Sequence, residues 1–105
     1  MQSKKVILEL QYFDGCPNHG KMREHLARAI QGMESAVQVI EIPGVDEETA
    51  TKTQFRGSPT LLINGADLEE MPPPSMPTLA CRFYPNGIPQ AEFIRAKIEA
   101  EYAKG

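Results

Sequence analysis

The sequence predicts a single α/β domain over residues 1–105, with the element order β-α-β-α-β-β-α and a four-stranded mixed sheet flanked by helices. Three observations predict it. Short runs of branched apolar residues alternate with segments of helical periodicity, the pattern of strands joined through helices. Pro, Gly and Asn clusters punctuate the chain at the joins. A length of 105 residues suits one domain and is enough to bury a core.

Residues 6–13 are rich in branched and aromatic side chains and are closed by Asp14-Gly15. They read as a first strand, buried on both faces because the apolar–polar alternation is weak. Pro17 stands where a first helical residue belongs, with Cys16 before it. Met22, Leu26, Ala29, Ile30 and Met33 then recur at helical spacing and give this helix one apolar face, with Gly32 marking its end. Residues 37–42 form a second strand, closed by Pro43-Gly44. A strand–helix–strand unit of this kind sets the two strands parallel through a right-handed crossover. Asp46 is placed to cap the next helix, which carries Glu47 and Glu48 in the first turn, where the helix dipole favours acids, and runs to about Phe55. Residues 59–64 are a third strand that ends at the turn signal Asn64-Gly65. Residues 79–84 read as a fourth, with Leu79, Cys81 and Phe83 facing the core and Pro85-Asn86-Gly87 stopping it. Pro89 opens the last helix, with Phe93, Ile94, Ile98 and Tyr102 along its inner face. Between the third and fourth strands, residues 66–78 include Met71-Pro72-Pro73-Pro74-Ser75-Met76-Pro77. Two readings of this stretch stand: a stiff polyproline-type surface loop, or a partner-docking element using Met71 and Met76 as adaptable contacts.

Composition excludes several function classes. A formal charge of −3 gives no electrostatic footprint for nucleic acid. No apolar run approaches the roughly 20 residues of a membrane-spanning helix, so no membrane partner is expected. The basic start, Met1-Gln2-Ser3-Lys4-Lys5, leads into the first strand and lacks the small-residue cleavage site of a secretion signal. The expectation is a cytoplasmic protein, in a compartment that keeps thiols reduced, and two cysteines make no disulfide framework. No phosphate-cradling Gly-rich loop, Ser-His-Asp set or defensible carboxylate pair is present, and no cofactor is expected.

Two segments carry the chemistry. Phe13-Asp14-Gly15-Cys16-Pro17-Asn18-His19 sets a thiol at a strand-to-helix junction, and Arg56-Gly57-Ser58-Pro59-Thr60 sets a Pro at the entrance to an apolar run. Together with Ala80-Cys81-Arg82-Phe83-Tyr84, they resemble the thioredoxin-fold superfamily, with the resemblance covering nearly the whole chain. Within it the chain is similar to small bacterial thioredoxin-like proteins with a single-cysteine Cys-Pro-x-x motif, some of them associated with alkylmercury lyase. The resemblance implies a sheet of order 4-3-1-2 and Cys16 as the nucleophilic thiol. It also implies a cis Ser58–Pro59 bond that sets the Ser58 backbone beside the thiol, where an extended substrate can pair with it. His19 occupies the place of the resolving thiol and departs from the redox pattern.

A helix N-terminus presents unpaired N–H groups and partial positive charge, which favour thiolate. Cysteines so placed titrate between about 3.5 and 7.5 instead of about 8.5. His19, at i+3 from Cys16, lies on the same side. Charged, it favours the thiolate further; neutral, it can shuttle a proton or offer a nitrogen ligand. With no second thiol in the motif, the expected function is monothiol exchange, through a mixed disulfide with glutathione or a protein thiol. Cys16, His19 and Pro59 are the expected catalytic residues, and Pro17, Asn18, Ser58 and Tyr84 the expected substrate-binding ones. Asn86 should approach the same end. Arg56 either contacts an anionic thiol such as glutathione or is solvated beside a turn, and His25 is expected to be solvated on the polar flank of its helix. In the 4-3-1-2 sheet, Cys81 lies two strand spacings of about 4.8 Å from the first strand. A disulfide needs Cα atoms within about 7 Å, so Cys81 is expected to be a core cysteine, and a bridge to Cys16 would need a rearrangement through the long loop before Cys81. Two rival functions remain open. One is a non-catalytic binding module in which Cys16 is a small buried residue. The other is a soft-metal or mercurial carrier using Cys16, with His19 and Cys81 as further candidate ligands.

Overall fold

A computed structural model describes residues 5–13, 15 and 18–104. The branched residues of β1 (Val6–Gln11) form an inner strand of a four-stranded sheet of order β2-β1-β3-β4. β2 (Val37–Ile42) runs parallel to β1 in the register Val6↔Val37 to Gln11↔Ile42, the expected product of a crossover through α1 (Asn18–Ala29). A short 3-10 turn (Glu34–Ala36) leads into β2. β3 (Thr60–Ile63) runs antiparallel to β1, pairing Leu8 with Ile63 and Gln11 with Thr60. The strand order is the expected 4-3-1-2 read from its other edge.

The core follows the pleat. Val6, Leu8 and Leu10 point to one face, where Met22, Leu26 and Ala29 of α1 and Ile94 and Ile98 of α3 (Ala91–Lys104) cover them together with Leu61 and Ile63. Residues of opposite parity, Phe13 and Ile42, face a smaller cluster built on Val45, Ala50 and Phe55, through which α2 (Glu47–Thr53) covers the other side. Asp46 caps α2: its carboxylate accepts from the Thr49 N–H at 2.8 Å. All four residues of β3 are buried. The second face of β1 is closed only at its C-terminal end: Gln11 is buried, whereas Ile7 and Glu9 stay half-exposed.

Three expectations change. First, residues 79–84 are not the fourth strand. β4 is the short Ala66–Asp67, which pairs with β3 across the Asn64–Gly65 turn, and so it lies inside the stretch expected to be a long loop. Second, the buried side of residues 79–84 is the opposite one. Arg82 and Tyr84 are buried, whereas Leu79 (46 %) and Phe83 (80 %) are exposed. Third, Phe93 and Tyr102, expected on the inner face of the last helix, are exposed, and His25 is not solvated. It is buried, and its Nδ1 donates to the Pro89 carbonyl at 2.7 Å, joining α1 to the entrance of α3. The expectation for Pro17 as first helical residue falls outside the described residues.

Candidate functional site

The site is assembled around the loop that enters β3. The Ser58–Pro59 peptide bond is cis. Ser58 Oγ accepts from the Phe13 N–H at 3.2 Å, which ties the end of β1 to this loop. Ser58, Pro59 and Thr60 are all buried, and the chain's own segment 80–82 lies beside Ser58. The Ser58 N–H donates to the Ala80 carbonyl at 2.9 Å, and the Arg82 N–H donates to the Ser58 carbonyl at 2.8 Å. These two bonds make a parallel bridge that sets Cys81 directly beside Ser58. Gly57 permits the approach: it has φ +109°, and a Cβ there would lie 2.9 Å from the Arg82 Cβ. The Thr78 N–H, donating to the Phe55 carbonyl at 2.9 Å, fixes the start of this segment.

Cys81 is exposed and disulfide-bonded. This overturns the expectation of an unbridged core cysteine. The lateral-distance argument assumed that residue 81 sat in an outer strand of the sheet, but its segment crosses beside Ser58 instead. The chain has one other cysteine, Cys16, which lies outside the described residues, as do Asp14 and Pro17.

The segment beside Ser58 is anchored by a buried ion pair. Arg82 Nη1 and Nη2 donate to Asp67 Oδ1 and Oδ2 at 2.6 and 2.9 Å, a bidentate geometry, with both side chains almost wholly buried. Asp67 also accepts from the N–H groups of Glu69 and Met71. Burial pushes the Asp67 carboxyl up, but Arg82 and these two N–H groups outweigh it and leave the carboxyl below its ordinary range. Arg82 shows the converse: burial works against its charge, and the hydrogen bonds to Asp67, with Tyr84 and Glu69 nearby, more than restore it. Its guanidinium also lies over the Tyr84 ring, 4.7 Å from the centroid. Tyr84 is buried, and its hydroxyl donates to the Pro59 carbonyl at 2.6 Å, so its polar end is spent inside the loop. Burial drives its phenol well above the ordinary range. Arg56 is buried too, with Nε donating to the Met71 carbonyl at 2.9 Å, and therefore is not a solvated turn residue. Asn86 is exposed, beyond this anchor.

The helix end of the site holds a second set of groups. Asn18 is exposed at the first residue of α1. The His19 ring stacks on Tyr12 with centroids 4.7 Å apart and planes 3° from parallel. The Tyr12 hydroxyl donates to Glu41 at 3.0 Å and accepts from Arg23 at 2.6 Å, and Arg23 also donates to Glu41 at 2.9 Å. The hydrogen bond from Arg23 is the main reason the Glu41 carboxyl lies below its ordinary range. Sequence reasoning found His19 but not Tyr12, Arg23 or Glu41. The i+4 spacing of Arg23 from His19 was a signal, whereas its pairing with a residue of β2 was not readable locally. Among the described residues, no group of three or more His, Cys, Asp or Glu side chains could hold a metal ion. No helix among them is long and apolar enough to cross a membrane.

No protein-family model matches the chain, and no curated protein matches it in sequence. Solved structures do match it in shape. Chloroplastic thioredoxin z superposes with a TM-score of 0.63 at 18 % identity, over 97 % of this chain and 81 % of that one. HBP35 of Porphyromonas gingivalis superposes with a TM-score of 0.61 at 16 % identity, over all of this chain and 35 % of that one. At these identities the likeness is one of fold: the chain has a thioredoxin-like fold, a four-stranded mixed sheet flanked by helices.

Proposed function

We propose that this chain is a thiol–disulfide exchange protein whose two cysteines, Cys16 and Cys81, act as one redox pair. The observation that carries this reading is the disulfide at Cys81, beside the backbone of Ser58, in a chain with a single other cysteine. It replaces the monothiol mechanism, which followed from His19 in place of a resolving thiol within the motif and from a Cys81 expected to lie out of reach. Cys16 is the nucleophile: in sequence it stands two residues before Asn18, the first residue of α1, and the unpaired N–H groups of a helix N-terminus favour thiolate. His19, stacked on Tyr12, adjusts that preference. Pro17 and Asn18 border the nucleophile and meet the partner, and Pro59 with Ser58 and Tyr84 holds the strand that carries Cys81.

The steps balance without an outside oxidant. The Cys16 thiolate attacks one sulfur of a partner disulfide, forms a mixed disulfide and releases the partner's other sulfur as thiolate. The Cys81 thiolate then attacks the Cys16 sulfur, forms the intrachain disulfide and expels the partner's remaining thiolate. The partner leaves reduced by two electrons, and the chain leaves oxidised. A dithiol protein or two equivalents of glutathione return it to the reduced state by the same exchange.

The test is trapping. Reduced Cys81→Ser protein mixed with oxidised glutathione should accumulate a stable adduct on Cys16 by intact mass, whereas wild type should pass through that adduct to the intrachain disulfide. Turnover by Cys81→Ser equal to wild type would restore the monothiol mechanism. Failure of Cys16 to form any adduct would leave a binding module. Stoichiometric capture of a mercurial that disappears on Cys16→Ser, without exchange, would favour the carrier.

A further inference from the structure

We infer that Arg82, gripped by Asp67, is a positioning residue that keeps Cys81 at the Ser58 edge after the disulfide is opened. This inference rests on the proposed Cys16–Cys81 pair and adds what makes the pair close again. A resolving thiol on a loose loop would meet its target at low effective concentration, and one on a fixed strand at a high one.

The geometry argues for the fixed strand. Arg82 is the residue directly after Cys81, and its two terminal nitrogens engage both oxygens of Asp67 with almost no solvent access. Asp67 in turn belongs to β4, paired with β3, so the anchor is part of the sheet. The strand is also held by the two backbone bonds to Ser58, by Thr78 to Phe55 and by the Tyr84 hydroxyl on Pro59. None of these contacts involves a sulfur, and all can survive reduction. Opening the segment would break the bidentate, charge-assisted pair together with these backbone and hydroxyl bonds at once. A consequence for partners follows. With the Ser58 N–H and carbonyl committed to residues 80–82, an incoming polypeptide cannot add a strand there in either redox state.

Two measurements test the inference. The first uses wild type alone: amide hydrogen exchange at Ser58 and Arg82 in the oxidised and reduced protein. The positioning role requires both amides to stay protected on reduction, and their collapse to loop-like exchange in the reduced form would overturn it. The second is equilibration of Asp67→Asn with glutathione buffers beside wild type, with melting of both redox forms followed in parallel. The expected result is a fall of at least about tenfold in the effective concentration of the pair, a shift of about 30 mV, with Asp67→Glu recovering part of it. A merely structural ion pair would lower the melting temperature of both forms and leave the effective concentration unchanged, which would overturn the inference. Wild type that never closes an intrachain disulfide would instead sink the redox-pair reading itself. The two failures are therefore distinct.

Discussion

Gly57 shows how one missing side chain makes room for the site. Its φ of +109° lies where residues with a Cβ are strained, and the space a Cβ would fill is already taken by the Arg82 Cβ at 2.9 Å and the Ala80 carbonyl at 3.2 Å. Neither neighbour can step aside cheaply, because both belong to the strand bonded to Ser58. Gly57→Ala should therefore lower folding stability by about 1–3 kcal/mol through backbone strain and push residues 80–82 off Ser58. Urea unfolding of the oxidised protein measures the first, and hydrogen exchange at Arg82 the second. An unchanged midpoint with full protection at Arg82 would mean that the approach is looser than the distances say. The sequence motif Gly57-Ser58-Pro59-Thr60 was legible as the entrance to β3. What it could not reveal was that a segment more than twenty residues later closes over it, since nothing local to either stretch encodes the pairing.

At the scale of elements, α1 was readable from its apolar stripe and α3 in part: the structure packs Met22, Leu26, Ile94 and Ile98 into one core, whereas Phe93 and Tyr102, expected beside them, are exposed. The polar contribution between them was not. His25 looked like a solvated flank residue because a helical wheel sees only its own helix. The carbonyl that buries it belongs to Pro89, before α3. His25→Leu should cost about 1–3 kcal/mol, the price of leaving a buried carbonyl unbonded, while Arg28→Ala, which loses only an exposed pair with Glu24, should cost about 0–1 kcal/mol. Thermal melts of the two variants provide the comparison, and equal losses would mean that the His25 hydrogen bond contributes nothing beyond solvent-exposed charge. The fourth strand was misplaced for a related reason. Leu79, Cys81 and Phe83 alternate as a strand's core face does, yet the buried partners of that stretch are Arg82 and Tyr84. A charged residue paired over a long sequence separation defeats a rule that sends apolar residues inward.

For the whole molecule, the Asp67–Arg82 pair ties the hairpin of β3 and β4 to the strand that bears Cys81, so its ionisation should be visible in global stability. The sign follows from the direction of the shift. Burial alone would raise the Asp67 pKa, but the hydrogen bonds and charge of Arg82, with the Met71 and Glu69 N–H groups, leave it depressed in the folded state. The unfolded carboxyl titrates near about 3.9. The folded state therefore binds a proton less readily than the unfolded one, and the stabilisation is fully present above about pH 4–5 and is lost as pH falls through the lower folded value. Exposed carboxylates with depressed values, such as Glu41 and Glu70, add an acid sensitivity of their own, so the informative quantity is a difference. The stability of wild type minus that of Asp67→Asn, both oxidised, should be constant from neutral pH down to about 5 and should shrink steadily below about 4. Arg82→Lys should show a smaller plateau, because an ammonium cannot engage both carboxylate oxygens as the guanidinium does. A difference that stays constant throughout the acid range, or grows toward low pH, would mean that Asp67 does not carry the charge that holds the Cys81 strand in place.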